Sequence, residues 1–141
     1  MIIYLAGPID AVSKNASRGW ADEAQRTIQI LGHTAYCPQL AWGASYNDSH
    51  SVCAYNRVVI RASQGMFVNL RVGPVFETIR EIELARTAGK PVMIWVGDNE
   101  YDKYKSKFGC RDLIINSSRY MGAAIEHFFT LLKEGSNGKE V

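Results

Sequence analysis

Two glutamates one helical turn apart, Glu77 and Glu81, and a tyrosine set inside an apolar run, Tyr4, have the types and spacing for chemistry. The segment Val75–Ala88 reads as a helix ended by Gly89, with a core stripe of Val75, Ile79 and Ile82. Glu81 falls beside that stripe. Ala85 and Ala88 lie one and two turns further along its side and leave space around a carboxylate. Glu77 and Glu81, at i and i+4, can approach. Paired carboxylates divide their roles, one ionised as a nucleophile and the other raised in pKa as an acid. The same pattern also describes an ordinary amphipathic helix with Glu77, Arg80, Glu81, Glu83 and Arg86 on a wet face. Tyr4 is the polar exception in Met1–Ala6. A buried phenol needs a hydrogen-bond partner, and a carboxylate from a neighbouring strand–helix connection would serve.

These groups must be positioned by the elements around them. Met1–Ala6 reads as a buried strand ending in the sharp turn Gly7-Pro8. Ala16–Leu31 carries Trp20, Ala24, Ile28 and Leu31 at helical spacing, and Gly32 stops it. Thr34–Cys37 is a short strand closed by Pro38, and Gln39–Asp48 is a loop. Ser51–Ala62 is expected as a helix and Gly65–Leu70 as a buried strand, with Gly73-Pro74 breaking the chain before Val75. Pro91–Val96 is a third clear buried strand, Leu113–Asn116 a further one, and Gly122–Lys133 the last helix. Strand–helix alternation at this rhythm implies βαβ units, a parallel sheet of about five strands and helices on both faces: a three-layer, Rossmann/flavodoxin-like α/β fold. Ligands in such open sheets sit at the carboxyl ends of the strands. The suspect loops are therefore Gly7–Lys14, Gln39–His50 and Arg71–Val75. One domain over residues 1–134 with a flexible tail over 135–141 is expected.

The bulk numbers bound the possibilities. The chain has 141 residues, is 47% hydrophobic, and carries a net charge of +2 from 16 basic and 14 acidic residues. That suits one domain with a real core and shows no polyelectrolyte signature, so a nucleic-acid polymer or a membrane surface is not expected as partner. No run approaches the roughly 20 apolar residues of a membrane helix. Cys37, Cys53 and Cys110 form no CxxC pair, so reduced thiols in a cytoplasmic protein are the expectation. Neither GxGxxG nor GK[ST] follows the first strand. His33 reads as a surface cap residue, His50 as a possible phosphate contact in a suspect loop, and His127 as a packing residue. None has metal-ligand spacing with another. No metal and no cofactor are expected.

The runs Tyr4-Leu5-Ala6-Gly7-Pro8-Ile9 and Glu81-Ile82-Glu83-Leu84-Ala85-Arg86-Thr87-Ala88-Gly89-Lys90-Pro91-Val92 resemble the nucleoside 2-deoxyribosyltransferase family. Its deoxynucleoside 5′-monophosphate N-glycosidase and CMP hydrolase relatives are similar too, and the likeness spans roughly residues 1–96. The resemblance implies that Glu81 is the nucleophile and that Tyr4 holds its carboxylate. It implies that Gly7 and Ile9 form the turn approaching the sugar or its 5′ substituent. Asn69 matches a polar strand-end position, and Thr78 the threonine of a Gly-Thr-x-x-Glu segment. Asn116 is the candidate for an amide reaching a neighbouring subunit's pocket, which implies a homodimer or larger even-numbered homo-oligomer. Four positions depart from the pattern. Glu77 replaces the glycine before the threonine, and Val75 stands where Asp or Ser makes the 5′ contact. Gln64 and Asn56 stand where acidic residues are usual.

Cleavage of an N-glycosidic bond builds positive charge on the sugar, which a carboxylate under the anomeric carbon stabilises and captures covalently. The leaving base needs a proton, for which Glu77 is the candidate acid. Flat aromatic rings clamp bases, and Trp42 and Tyr46 are the first choices for this, with Trp20 second. The implied ligand is a small nucleoside or nucleotide. Two other readings stay open: a nucleotide-binding module of the same fold that has lost catalysis, and an unrelated Rossmann-like interaction domain.

Overall fold

The computed structural model describes residues 1–7, 14–38, 49–71, 76–107 and 113–139, for residues 14–18, 49–53, 76–77, 107 and 136–139 the backbone only. Ile9, Trp42, Tyr46 and Val75, together with the side chains of His50 and Glu77, therefore lie outside what is described.

The strands are β1 (Ile2–Ala6), β2 (Thr34–Tyr36), β3 (Gly65–Asn69), β4 (Val92–Trp95) and β5 (Leu113–Asn116). They form one sheet in the order β2-β1-β3-β4-β5, parallel throughout. This is the flavodoxin-like order, with its switch point between β1 and β3. β3 and β4 are buried along their whole length, and β1 from its second residue on, which is why they read as unbroken apolar runs. β5, at an edge, is only half-buried.

The helices are α1 (Lys14–Ile30), α2 (Ser49–Ala62), α3 (Phe76–Thr87), α4 (Tyr101–Lys107) and α5 (Met121–Lys139). Side-chain alternation along the strands gives the sheet two apolar faces. On the first, Ile3, Leu5, Phe67, Met93 and Trp95 pack with Ala21, Ala24 and Ile28 of α1 and with Ile125 and Phe128 of α5. On the second, Tyr4, Ala6, Met66, Val68 and Ile94 pack with Ile60 of α2, Ile82 and Ala85 of α3, and Tyr104 of α4.

Helix α1 and helix α3 end by the same device. Gly32 has φ +87° and Gly89 φ +73°. The paired bonds Gly32 N–H to Gln29 and His33 N–H to Ile28 recur as Gly89 to Arg86 and Lys90 to Ala85. This is the Schellman closure, which needs a residue at ease in the left-handed region.

The structure corrects several sequence expectations. The turn Asp98–Glu100 and helix α4 fall where no element was expected. Their residues are mostly charged, and only Tyr101 and Tyr104 mark an inward side. Helix α5 continues to Lys139 rather than stopping at Lys133, since lengthening an existing helix fixes few dihedrals per added bond. His127 is exposed: the inward stripe is Met121, Ala124, Ile125, Phe128 and Phe129, which turns residue 127 outward.

Candidate functional site

Tyr4 sits in the middle of β1 with no exposed surface. Its side chain belongs to the second face, and there its hydroxyl donates to Glu81 Oε2. Two features of the sequence bring the pair together. The strand alternation that buries Ile3 and Leu5 on one face puts Tyr4 on the other. Helix α3 runs back from the carboxyl edge, and five residues from its first residue, at ~1.5 Å each, lower Glu81 by roughly 8 Å into the layer. The inward stripe of α3 is Thr78, Ile82 and Ala85, at 1%, 0% and 0% exposure. Ile79 is only half-buried. The expected stripe was thus rotated by part of a turn, and the true one places half-buried Glu81 next to buried Ala85. Ala88, expected to share that space, is exposed.

A second phenol stands beside the first. Tyr36 is the register partner of Tyr4 on β2. The two rings lie 5.5 Å apart, and the Tyr36 hydroxyl donates to Asn56 Oδ1 on α2 at 3.0 Å. Tyr55, 51% exposed, follows at 6.1 Å from Tyr36. Sequence reading passed over Tyr36 and Tyr55. The signal available was that Tyr36, like Tyr4, is a phenol within a short apolar strand. Asn56, noted as a departure from an acidic residue, holds this second phenol.

Gln64, noted as standing where an acidic residue is usual, bonds to backbone groups at both ends of its amide. Its Oε1 accepts from the Ile2 amide at 2.6 Å, and its Nε2 donates to the Ala62 carbonyl at 3.2 Å. It closes the amino edge of β1, the opposite edge of the sheet from the switch point.

Asn69 and Asn116 occupy one row across the carboxyl edge, with Trp95 between them. Each turns the chain leaving its strand. Asn69 Oδ1 accepts from the Arg71 amide at 2.9 Å, and Asn116 Oδ1 from the Ser118 amide at 2.8 Å. The Arg71 guanidinium stacks over the Trp95 ring at 4.2 Å and donates to the Ser118 carbonyl at 2.6 Å. The row belongs by alternation to the first face, whereas Tyr4 and Glu81 belong to the second. The tie from Arg71 and Trp95 to Ser118 was invisible in sequence, because it joins three separate loops and strand ends.

Gly7 follows Ala6 beside Asn69. A Cβ there would fall 2.6 Å from Trp20 Cζ2 and 3.0 Å from the Asn69 carbonyl oxygen, so the indole needs this glycine. Trp20, the reserve choice for clamping a base, packs against the first-face core and not beside Tyr4 and Glu81. Among the described residues no three His, Cys, Asp or Glu side chains gather as a metal site, and no helix is long and apolar enough to cross a membrane.

The chain is an all-parallel, flavodoxin-like α/β protein in which a buried phenol is bonded to a helix carboxylate. No protein-family model and no curated protein matches the chain. Nineteen solved chains do. One is a 2-deoxyribosyltransferase from Bacillus psychrosaccharolyticus, with a TM-score of 0.57, 22% identity, and coverage of 68% of this chain and 72% of that one. Another is a CMP N-glycosidase from Clostridium botulinum, with a TM-score of 0.62, 11% identity, and coverage of 91% and 98%. Both lie within the group of enzymes that the sequence resembles, and the likeness is one of fold.

Proposed function

We propose that the protein cleaves or transfers the N-glycosidic bond of a nucleoside, deoxynucleoside or nucleoside 5′-monophosphate, with Glu81 as nucleophile. The observation that carries this reading is the bond from the buried Tyr4 hydroxyl to Glu81. It fixes one rotamer of a carboxylate on the inward side of α3, the preorganisation that attack on an anomeric carbon requires. In the first step a Glu81 oxygen bonds to C1′ of the sugar. The C1′–N bond breaks, its electron pair leaves with the base, and the base takes a proton from an acid, for which Glu77 is the proposed donor. In the second step water or another base attacks C1′ and gives up its proton to the Glu77 carboxylate, while the bond to Glu81 breaks and its electron pair returns to that carboxylate. Asn69, Thr78, Gly7, Ile9 and Trp42 are the proposed substrate contacts. Asn116 is proposed to reach the pocket of a neighbouring copy in an even-numbered homo-oligomer. A strictly monomeric species in sedimentation at micromolar concentration would remove Asn116 from the site.

The test is release of base from a panel of nucleosides, deoxynucleosides and their monophosphates, with and without an acceptor base. Glu81→Gln keeps the shape and loses the nucleophile, so turnover should fall at least about a thousandfold while binding survives. Full activity in that variant would disprove the mechanism. Val75, in place of the polar 5′ contact, favours one second reading, a binding module without turnover. A wild-type protein that binds a nucleotide and never releases base would establish that reading instead.

A further inference from the structure

The crevice between the carboxyl ends of β1 and β3 is where this sheet reverses its winding, and ligands of such sheets lie there. Trp20 reaches that place from α1, its Cζ2 edge against Gly7. In an indole, Nε1 and Cζ2 are bonded to the same ring carbon, so the N–H is held at this same edge. Trp20 Nε1 is buried, and among the described residues it has no hydrogen-bond partner. Trp95 shows the ordinary solution, its Nε1 donating to the Ser118 carbonyl at 2.8 Å. Buried N–H groups without an acceptor are rare, because desolvation is not offset, and each calls for a specific cause.

We propose that Trp20 is a ligand-binding residue whose indole N–H donates to an oxygen on the sugar or 5′ side of the bound nucleoside or nucleotide. This rests on the glycosidic reading above and adds to it a contact from the face of the sheet opposite Glu81. Indole nitrogen is a donor only, so its natural partner is a hydroxyl or phosphate oxygen. A ligand with its anomeric carbon at Glu81, on the second face, crosses the sheet edge to meet Trp20 on the first. Trp20 thereby acts through its edge rather than by stacking.

The experiment is a titration of protein labelled with 15N at its three tryptophans, each giving one indole signal. The signal absent in Trp20→Phe is that of Trp20. Ribose 5-phosphate, inorganic phosphate, a deoxynucleoside, its monophosphate and the free base are added in turn. The expected result is a downfield shift and slower solvent exchange of the Trp20 signal with the monophosphate or the deoxynucleoside, while the Trp95 signal stays in place. A shift with inorganic phosphate identifies phosphate as the acceptor, and a shift with ribose 5-phosphate but not with inorganic phosphate places the acceptor on the phosphorylated sugar. A shift with the deoxynucleoside but not with phosphate identifies a sugar hydroxyl. Trp20→Phe should weaken binding of the same ligand about tenfold, the loss of one hydrogen bond. The wild-type titration decides the matter even if that variant folds poorly. Backbone signals that move while the Trp20 signal does not would overturn the inference and leave the glycosidic reading standing. A Trp20 shift with free base alone would overturn it also. No shift of any signal with any of these ligands would overturn both.

Discussion

Tyr4 is where a single atom separates two expectations. A tyrosine with no exposed surface fills the core as phenylalanine would, but its hydroxyl is bonded to Glu81. Tyr4→Phe should keep the fold and lose the orientation of the carboxylate. A hydrogen bond to a charged acceptor contributes about 1.5–3 kcal/mol, so kcat should fall roughly 10- to 100-fold with little change in KM. Steady-state kinetics on the substrate found in the base-release panel checks this. A purely structural role for Tyr4 would instead lower the melting temperature and leave kcat per folded molecule unchanged. Glu81 itself was legible in sequence through its spacing and the surrounding run. Its rank above Glu83, two residues on, came from the family resemblance, and its physical reason is the packing of α3, which turns residue 81 toward the sheet and leaves residue 83 exposed, paired with Arg86 at 3.6 Å.

At the scale of elements, Gly32 and Gly89 were legible as stops because the left-handed closure is a local matter of backbone sterics. The space around the Cβ position of Gly89 is open, so a substitution there meets backbone strain alone. Gly89→Ala should lower stability by about 1–2 kcal/mol, a drop in melting temperature of roughly 3–6 °C for a chain of this size. Thermal unfolding measures it, and an unchanged midpoint would mean that the closure has relaxed. Helix α4 was missed for the opposite reason. Its sequence Tyr101–Lys107 holds no periodic apolar stripe, and its place is set by Tyr104, 2% exposed against the second face.

Across the whole molecule, the amino edge of the sheet holds a histidine whose surroundings disfavour its charged form. The His33 ring stacks on Phe129 of α5 at 4.5 Å, and its Nδ1 accepts from the Met1 ammonium at 3.0 Å. Burial lowers its pKa below the usual 6.5, and the positive charges of the amino terminus and Lys133 lower it further. The native state therefore binds fewer protons than the unfolded chain between that lowered value and 6.5. The contribution of His33 is complete above about pH 6.5 and is lost as pH falls through the native-state value. Urea unfolding midpoints should decline from pH 7.5 to pH 5, and His33→Gln should flatten that part of the profile. Parallel profiles for the two proteins would show that His33 does not couple to folding.

The sequence by itself determined the parallel α/β architecture, the two glycine stops, and the pairing of one buried phenol with one helix carboxylate. These follow from periodicity, from local backbone sterics, and from a motif resemblance that keeps Tyr4 and Glu81 in order along the chain. Only the tertiary structure decided which side of α3 faces the sheet, because a helix with 12 residues of weak amphipathic contrast takes its rotation from its neighbours. It alone joined Tyr36 to Asn56, assigned Gln64 to the amino edge, and set Trp20 against Gly7. Each of those contacts links residues 13 to 62 positions apart, and no pattern within a single element encodes the register that brings such residues together.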